Sequence, residues 1–555
     1  MIKENFIQLF ENSIKNHWEN PVFTDYGENK TMTYGNLATE IAKLHLLFEQ
    51  CNIAKGDKIA LIGKNTSQWT CTYIAVVTYG AILVPILQDF NPNDVQHIVN
   101  HSDSMLLFAT DAIWDTLEEE KMPVLRAAFS LTDFRCLMQK DGENIQQITI
   151  GLQSSFAQKY PNGVAKEDVK YAEVHNSEVV VINYTSGTTG FSKGVMISGN
   201  CLAGNVTFGF ETKLLYPKAR VVAFLPLAHT YGCAFDFLTA VCAGSHITLF
   251  GKVPAPKVLL KAFSEVKPTM IFTVPLILEK IYRNQILPKL NKRTFRLVLG
   301  IPLLDNRILA QFRKKLIHAF GGEFEQVIVG GAALNKEVED FLIRIKFPFS
   351  VGYGMTECGP LISFSKKDKF IPTSVGKILS KMEVKIDSSD PYSVVGEICV
   401  RGEHLLTGYY KNPEATAEAI DEDGWLHTGD LGTIDADDNI FIRGRNKSMI
   451  LSASGQNIFP EEIEAKLDNM PFVMESLVVE QEGKLVALVY PDYEAVDEAN
   501  LSQQEFEMVM EENRKRLNEV TASYENIVKI KLHSTEFEKT PKKSIKRFKY
   551  SNLTK

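Results

Sequence analysis

Apolar stripes and apolar runs alternate along residues 30–350, and this alternation predicts helices between buried strands. Leu37, Ile41, Leu44 and Phe48 recur at helical spacing, and the run Lys58–Ile62 after a Gly-Asp turn predicts a strand. Further apolar runs predict strands at Val179–Ile182, Val221–Leu225, Ile247–Phe250, Met270–Thr273, Leu297–Gly300 and Gln326–Val329. Helices and strands alternating in this way are typical of an α/β fold, with helix-covered and mainly parallel sheets.

One uncharged stretch, Trp69–Gln88, is nearly long enough to span a membrane. Gly80 and Pro85 interrupt it, and threonine, tyrosine and glutamine are spread along it. We therefore predict a buried helix, a turn at Gly80 and a core strand over Ala81–Leu87, and no transmembrane segment.

The pattern changes twice towards the C-terminus. Residues 375–445 contain short strands such as Glu397–Arg401 between Gly- and Asp-rich turns, which predicts a small β-rich subdomain. Beyond Lys447 the patterns predict a helix, a hairpin, a long helix and a strand, at Glu461–Leu467, Leu477–Glu480 with Lys484–Pro491, Gln503–Val520 and Ile527–Leu532. We predict a large N-terminal domain over residues 1–446 and a small, mobile α+β domain over residues 447–555.

Composition and net charge limit the classes of protein and partner that fit this chain. At 555 residues the chain is too long for one core, and 45% hydrophobic with 23% charged residues is typical of a soluble globular protein. A net charge of −8 argues against nucleic acid as the main partner. The eight cysteines lack metal-ligand spacing and the N-terminus lacks a signal-peptide core, which predicts a reduced, cytoplasmic protein.

The chemistry-bearing segment is Tyr184–Gly194, which directly follows the predicted strand Val179–Ile182. Its glycines let backbone N–H groups approach an anion, its hydroxyls donate hydrogen bonds and its lysine adds positive charge. The lysine lies outside the Walker A spacing. The alternative is a flexible loop, but the preceding strand favours a phosphate site formed by Thr185, Ser186, Gly187, Thr188, Thr189, Gly190 and Lys193.

Four further motifs follow in order along the chain: GGAA at residues 330–333, VGYGMTE at 351–357, WLHTGD at 425–430 and GRNK at 444–447. With the phosphate loop, they resemble the motifs of the adenylate-forming superfamily over nearly the whole chain. The T-P…K-R signature at residues 540–547 and the IFPEEIE segment at 458–464 look most like those of long-chain fatty acyl-CoA synthetases.

The resemblance implies roles for single residues. The ring of Tyr353 would stack on adenine beside Gly331, Ala332 and Gly354. Asp430 would accept hydrogen bonds from both ribose hydroxyls, and Arg445 would reach the ribose and phosphates. Thr356 would contact the α-phosphate, Glu357 and Thr185 would hold Mg²⁺, and Lys447 would be the hinge between the two domains. The hard carboxylate and hydroxyl oxygens suit Mg²⁺.

The last motif is imperfect. Relatives place a catalytic lysine four residues after a threonine, and here that position after Thr540 holds Ser544. Three explanations stay open: Lys543 substitutes for the expected lysine, the adenylation step is weakened, or the register of the comparison is wrong. Among the neighbouring lysines, Lys543 is the best candidate.

The implied reaction uses ATP and Mg²⁺ to convert a carboxylic acid to an acyl-adenylate, which CoA then attacks. His229 and Gly232 lie in a segment similar to the lining of the family's acyl pocket. Since no charged residue lies between Val221 and Thr230, a fatty acid fits better than an amino acid. Two alternative functions stay open: a ligase that transfers the acyl group to a carrier protein, and a catalytically weakened nucleotide- or acyl-binding protein. Among the expected partners is also a membrane that would supply the acid through peripheral contact.

Overall fold

The computed structural model describes residues 2–28, 30–185, 193–251, 255–290, 302–451, 456–481, 483–540 and 544–550. Its strands are β1 (Pro21–Asp25), β2 (Lys30–Thr33), β3 (Lys58–Ile62), β4 (Ile82–Ile86), β5 (Ser104–Ala109), β6 (Ala127–Ser130), β7 (Cys136–Gln139), β8 (Val179–Thr185), β9 (Lys193–Ser198), β10 (Arg220–Ala223), β11 (His246–Leu249), β12 (Met270–Thr273), β13 (Gln326–Val329), β14 (Phe349–Gly354), β15 (Leu361–Phe364), β16 (Lys377–Ile378), β17 (Met382–Asp387), β18 (Gly396–Gly402), β19 (Gly408–Tyr409), β20 (Leu426–Ile434), β21 (Ile440–Arg445), β22 (Ile450–Leu451), β23 (Asn457–Ile458), β24 (Val473–Gln481), β25 (Lys484–Pro491) and β26 (Ile527–Leu532).

The α-helices are α1 (Phe6–Asn16), α2 (Tyr34–Gln50), α3 (Ser67–Tyr79), α4 (Pro92–His101), α5 (Asp111–Trp114), α6 (Ile145–Lys159), α7 (Gly199–Glu211), α8 (Thr239–Cys242), α9 (Pro256–Val266), α10 (Pro275–Ile281), α11 (Leu287–Leu290), α12 (Pro302–Ala319), α13 (Lys336–Arg344), α14 (Pro413–Ala419), α15 (Pro460–Leu467), α16 (Tyr493–Glu498) and α17 (Gln503–Val520). Two π-helical stretches, Gly232–Leu238 and Tyr282–Ile286, precede α8 and α11.

Four sheets form the N-terminal body. The largest has the order β19-β9-β8-β4-β3-β5-β6-β7, and the second has the order β12-β13-β14-β15-β16. The third is β10-β11-β1-β2, and the fourth, β17-β18-β20-β21, is the predicted β-rich subdomain. The centres of the first three sheets are parallel, and antiparallel strands occupy edges of each. The prediction of mainly parallel sheets is therefore confirmed for their centres, with antiparallel edges added.

Local sequence explains the element ends. At the start of α2, Thr33 and Asn36 form a reciprocal capping box, and the predicted stripe of Leu37, Ile41, Leu44 and Phe48 is buried. Helix α3 ends at Gly80, whose φ of 90° suits glycine, and β4 follows. The uncharged stretch is thus a core helix and a core strand. Among the described residues, no helix has the length and apolarity that membrane crossing needs.

The predicted strands Met270–Thr273 and Gln326–Val329 are observed with the predicted bounds, as are the helix Gln503–Val520 and the strand Ile527–Leu532. The predicted strand Leu297–Gly300 lies outside the described residues.

The smaller C-terminal domain has its own apolar core, between the sheet β24-β25-β26 and helices α15 and α17. The hydrogen-bonded pairing of β24 with β25 confirms the predicted hairpin.

Candidate active site

The predicted phosphate loop connects two antiparallel strands. Thr185, the last residue of β8, lies opposite Lys193, the first residue of β9, in the ladder of the largest sheet. The loop residues Ser186, Gly187, Thr188, Thr189 and Gly190 lie outside the described residues. Thr185 and Lys193, the two described ends of the predicted loop, therefore lie side by side at the end of β8.

A second group of predicted residues meets between two sheets. The phenol of Tyr353 donates to Oδ2 of Asp430 over 2.7 Å, and Nε of Arg445 donates to Oδ1 over 3.1 Å. Burial, with the Asp430 carboxylate beside it, holds the pKa of Tyr353 well above its usual range, so its hydroxyl stays a donor. A carboxylate has about four acceptor positions, so about two remain for a vicinal diol.

Residues of β18 hydrogen-bond to the loop that carries Asp430. Oε1 of Glu397 accepts from the backbone N–H of Gly429 over 2.9 Å, and Oε2 lies 3.0 Å from Nδ1 of His427. Thr428 donates to the carbonyl of Ile398 over 2.7 Å. With Cys399, the Glu397 and His427 side chains are close enough to hold a metal ion, but these hydrogen bonds already account for Glu397 and His427. They fix the turn at Gly429, whose φ is 73°.

A third group links the YGMTE motif to the phosphate-loop hairpin. The phenol of Tyr409 donates to Oε1 of Glu357 over 2.9 Å, and Nζ of Lys193 lies 5.1 Å from the centre of the Tyr409 ring. The sequence reasoning missed Tyr409. The sequence carries no local signal for its role, because its contacts depend on the pairing of β19 with β9, near Lys193.

Two glycines allow the backbone to approach closely. A Cβ at Gly354 would lie 2.1 Å from the carbonyl oxygen of Pro360, so only hydrogen fits there. Gly331 has a φ of 86°, in the left-handed region, and its position leaves room for a flat group beside Val274. Strands β13 and β14 pair in parallel, with Val329 opposite Val351. The Gly330-Gly331 loop, with exposed Ala332, therefore lies next to Tyr353.

These observations fit a nucleotide with a divalent cation. Exposed small residues lie beside the aromatic Tyr353, and Asp430 keeps acceptor positions. The second carboxylate oxygen of Glu357 accepts no hydrogen bond from the described residues. The buried Thr356 opens a short 3₁₀ turn directly before Glu357.

The predicted acyl segment leads into the π-helical stretch. His229 donates its backbone N–H to the carbonyl of Pro226 over 3.0 Å. A Cβ at Gly232 would lie 2.9 Å from that same carbonyl oxygen. The ring of Tyr231 covers Gly330, where a Cβ would lie 3.0 Å from the ring. The acyl segment therefore borders the Gly330-Gly331 loop.

The sequence reasoning also missed Asp236, seven residues after His229. Its side chain is fully buried, and among the described residues neither carboxylate oxygen has a hydrogen-bond partner. Burial raises the pKa of Asp236 well above its usual range. The signal was present as one acidic residue in the apolar run Cys233–Leu238.

This carboxyl should make stability depend on pH. In the folded protein Asp236 keeps its proton at a pH where the unfolded chain, with a pKa near 3.8, has lost it. Stability from this group is therefore present at low pH and falls as pH rises, by up to about 1.4 kcal/mol per pH unit. Between pH 5 and pH 7, the free energy of unfolding of the Asp236→Asn variant should fall less than that of wild type, as measured by urea unfolding at each pH. Parallel curves for the two proteins would contradict this assignment.

The C-terminal domain begins near the site. Lys447 lies in a 3₁₀ turn over Asn446–Ser448, directly after β21 and Arg445. Lys543 lies outside the described residues. Ser544 is described, and its carbonyl accepts from the backbone N–H of Thr540 over 2.8 Å.

Contacts hold the C-terminal domain against the body. Asn335, at the start of α13, and Asn469 exchange side-chain hydrogen bonds of 2.9 and 3.1 Å. Arg283 donates to the carbonyl of Asp468 over 2.6 Å. Within the domain, Arg547 pairs with Glu464 of the IFPEEIE segment, so these two charges serve the domain's own packing.

Two family models match the chain. The model described as AMP-binding enzyme matches residues 10–410, and the model described as AMP-binding enzyme C-terminal domain matches residues 447–553. Among curated proteins, the peroxisomal long chain acyl-CoA synthetase 7 of Arabidopsis thaliana is 28% identical over 89% of this chain and 74% of its own length. The 4-coumarate–CoA ligase 4 of the same plant is 27% identical over 82% of this chain and 75% of its own length.

Solved structures show the same fold. The crystal structure of ATP-bound MatB from Rhodopseudomonas palustris superposes with a TM-score of 0.76 over 100% of both chains, at 20% identity. The arrangement of a large body and a smaller C-terminal domain is shared.

Proposed function

Because this chain belongs to the AMP-binding enzyme family, we propose that it activates a long-chain fatty acid with ATP and transfers the acyl group to CoA. In the first step the acid's carboxylate attacks the α-phosphorus of ATP, which releases pyrophosphate and leaves an acyl-adenylate. In the second step the CoA thiol attacks the acyl carbonyl, and AMP leaves. The observation that carries the proposal is the convergence of Tyr353, Asp430 and Arg445.

In this proposal Asp430 receives the ribose hydroxyls on its remaining acceptor positions. Tyr353 and Arg445 hold the carboxylate in place while Arg445, whose side chain is 72% exposed, still reaches outward to phosphates. Adenine lies against Tyr353, Gly354 and the loop of Gly331 and Ala332.

The reacting groups are both anions, so the site must supply positive charge and hydrogen-bond donors. Glu357 and Thr185 would hold Mg²⁺, which neutralises phosphate charge when bound. Lys193 adds a cation at the phosphate loop and Thr356 a hydroxyl near the α-phosphate. Lys543 is our candidate for the cation at which carboxylate and triphosphate meet. Enclosure of the adenylate against water would limit its hydrolysis.

Fewer observations bear on the identity of the acid substrate than on the nucleotide. The rings of Tyr231, Phe235 and Phe272 lie together beyond His229 and Gly232, and an apolar chain suits such a lining. The name of the Arabidopsis synthetase supports a long-chain acid, while the coumarate ligase at similar identity points to an aryl acid.

Pyrophosphate release is the direct test. Purified protein with ATP and Mg²⁺ should release pyrophosphate with fatty acids of graded length, and should form a thioester when CoA is added. A cinnamic-type acid serves as the comparison. Release that yields no CoA thioester would redirect the proposal to a carrier-protein ligase. No release with any acid would refute it and favour a binding protein, the reading that Ser544 supports.

Lys447→Pro tests the hinge. Proline fixes φ near −65°, which suits the 3₁₀ turn observed at Lys447. Domain rotation between the two steps would require that angle to change. We expect adenylation, measured as pyrophosphate release, to be retained within a few-fold, and thioester formation to fall by about two orders of magnitude. Lys447→Ala is the matched control, because it removes the charge but leaves φ free. Equal loss of both steps in a folded Pro variant would count against a hinge.

A further inference from the structure

The structure contains an unusual set of buried polar groups beside the proposed acid site. Neither carboxylate oxygen of Asp236 has a hydrogen-bond partner among the described residues, and the hydroxyls of Thr230 and Thr273 also lack one there. All three residues are buried, with Asp236 and Thr273 fully inaccessible. Because buried polar groups are normally hydrogen-bonded, three such groups need a partner.

Chain connectivity and hydrogen bonds place these three residues around one ring, that of Tyr231. Thr230 directly precedes Tyr231, and Tyr231 donates its hydroxyl to the carbonyl of Ile328 over 3.0 Å. Thr273 ends β12, and its carbonyl accepts from the backbone N–H of Gly330, which the Tyr231 ring covers. Asp236 lies close enough to Tyr231 to add to the rise that burial causes in the pKa of that phenol. The three residues therefore lie around Tyr231, next to the Gly330-Gly331 loop.

The surroundings of the set are otherwise apolar. The rings of Phe235 and Phe272 stack with centres 5.7 Å apart, and the Tyr231 ring meets both edge-on. An acyl chain that enters this region would meet apolar rings and one carboxyl group.

We propose that Asp236 is a specificity residue that recognises a hydroxyl group on the acyl chain of the acid. The proposal rests on the proposed function and narrows its substrate to a hydroxylated fatty acid. A hydroxyl both donates and accepts, so it is a suitable partner for the buried carboxyl. An ammonium group would place either a lone charge or, with a deprotonated Asp236, a charged pair in a buried site, and the desolvation of these charges is unfavourable.

The position of the hydroxyl follows from the helix. Asp236 lies four residues beyond Gly232 and seven beyond His229. At a rise of at most about 1.5 Å per residue, Gly232 and Asp236 are separated by about 6 Å along the axis. With the reacting carboxylate near His229 and Gly232, as the proposed function has it, the hydroxyl lies several carbons along the chain from that carboxylate, not beside it.

The test compares matched acids on the full chain. Pyrophosphate release is measured with ATP, Mg²⁺ and CoA for each straight-chain acid and for its hydroxy isomers, with the hydroxyl moved along the chain. Wild type should prefer one mid-chain isomer over the unsubstituted acid at least ten-fold in kcat/KM. Asp236→Leu, which replaces the carboxyl with an apolar group, should abolish or reverse that preference. Asp236→Asn and Thr273→Val, which keep shape, should lower it in part.

The outcomes separate the two proposals. Equal ratios of hydroxylated to unsubstituted acid in active wild type and active Asp236→Leu would overturn this proposal and leave the proposed function standing. Preference for an amino-substituted acid over every hydroxy isomer would overturn it too. No release with any acid would refute the proposed function, and this proposal with it. If Asp236→Leu does not fold, as thermal unfolding would report, the ratios in Asp236→Asn and Thr273→Val decide.

Discussion

Asp430→Ala should weaken ATP binding about 10- to 100-fold. Asp430 is buried and already anchors Tyr353 and Arg445. Hydrogen bonds to a charged group contribute about 1.5–3 kcal/mol, and about 1.4 kcal/mol corresponds to a factor of ten in affinity. Removal of the carboxylate deprives the ribose of its acceptor and leaves the Tyr353 hydroxyl buried beside a void. Calorimetric titration with ATP measures the change directly.

Two matched variants separate the contributions at Asp430. Asp430→Asn keeps one acceptor oxygen and the shape, so its affinity should fall between wild type and alanine. Tyr353→Phe removes only the hydroxyl that donates to Oδ2, and it should cost less than Asp430→Ala because the carboxylate remains. An unchanged ATP affinity in Asp430→Ala would show that ribose does not bind here.

Glu357→Gln should slow acyl-adenylate formation by about two to three orders of magnitude, the scale for removing one electrostatic group from a transition state. A neutral amide oxygen is a weaker ligand than a carboxylate for a hard cation such as Mg²⁺. Attack of CoA on supplied acyl-adenylate should be nearly unaffected, since pyrophosphate and its charge have then left. Single-turnover measurements of pyrophosphate release and thioester formation distinguish the two steps.

Tyr409→Phe is the control for Glu357. It keeps the carboxylate and removes the hydroxyl that donates to Oε1 over 2.9 Å. We expect a smaller loss that added Mg²⁺ partly restores, because the carboxylate is less well oriented but still present. If Glu357→Gln slows both steps equally, or if added Mg²⁺ has no effect on Tyr409→Phe, the assignment of Glu357 to the metal is wrong.

The family and the fold class could be predicted from the sequence because their signals are local. Periodic apolar positions predict elements such as α2 and β12 from a window of a few residues. The motifs around Thr185, Tyr353 and Asp430 are likewise short, and turn glycines mark their ends. The roles of these residues, and the domain boundary at Lys447, stay predictions that the proposed experiments test.

The tertiary structure alone decided which side chains meet. Tyr353 and Asp430 lie 77 positions apart in the sequence, and Tyr409 and Glu357 lie 52 apart. Their contacts depend on how whole sheets pack, which no local pattern specifies. The same holds for Asp236: one acidic residue in an apolar run is visible in the sequence. The sequence does not show that both oxygens of Asp236 are buried without a partner among the described residues. Burial and hydrogen bonding depend on all the segments packed around this residue, so the complete fold decides them.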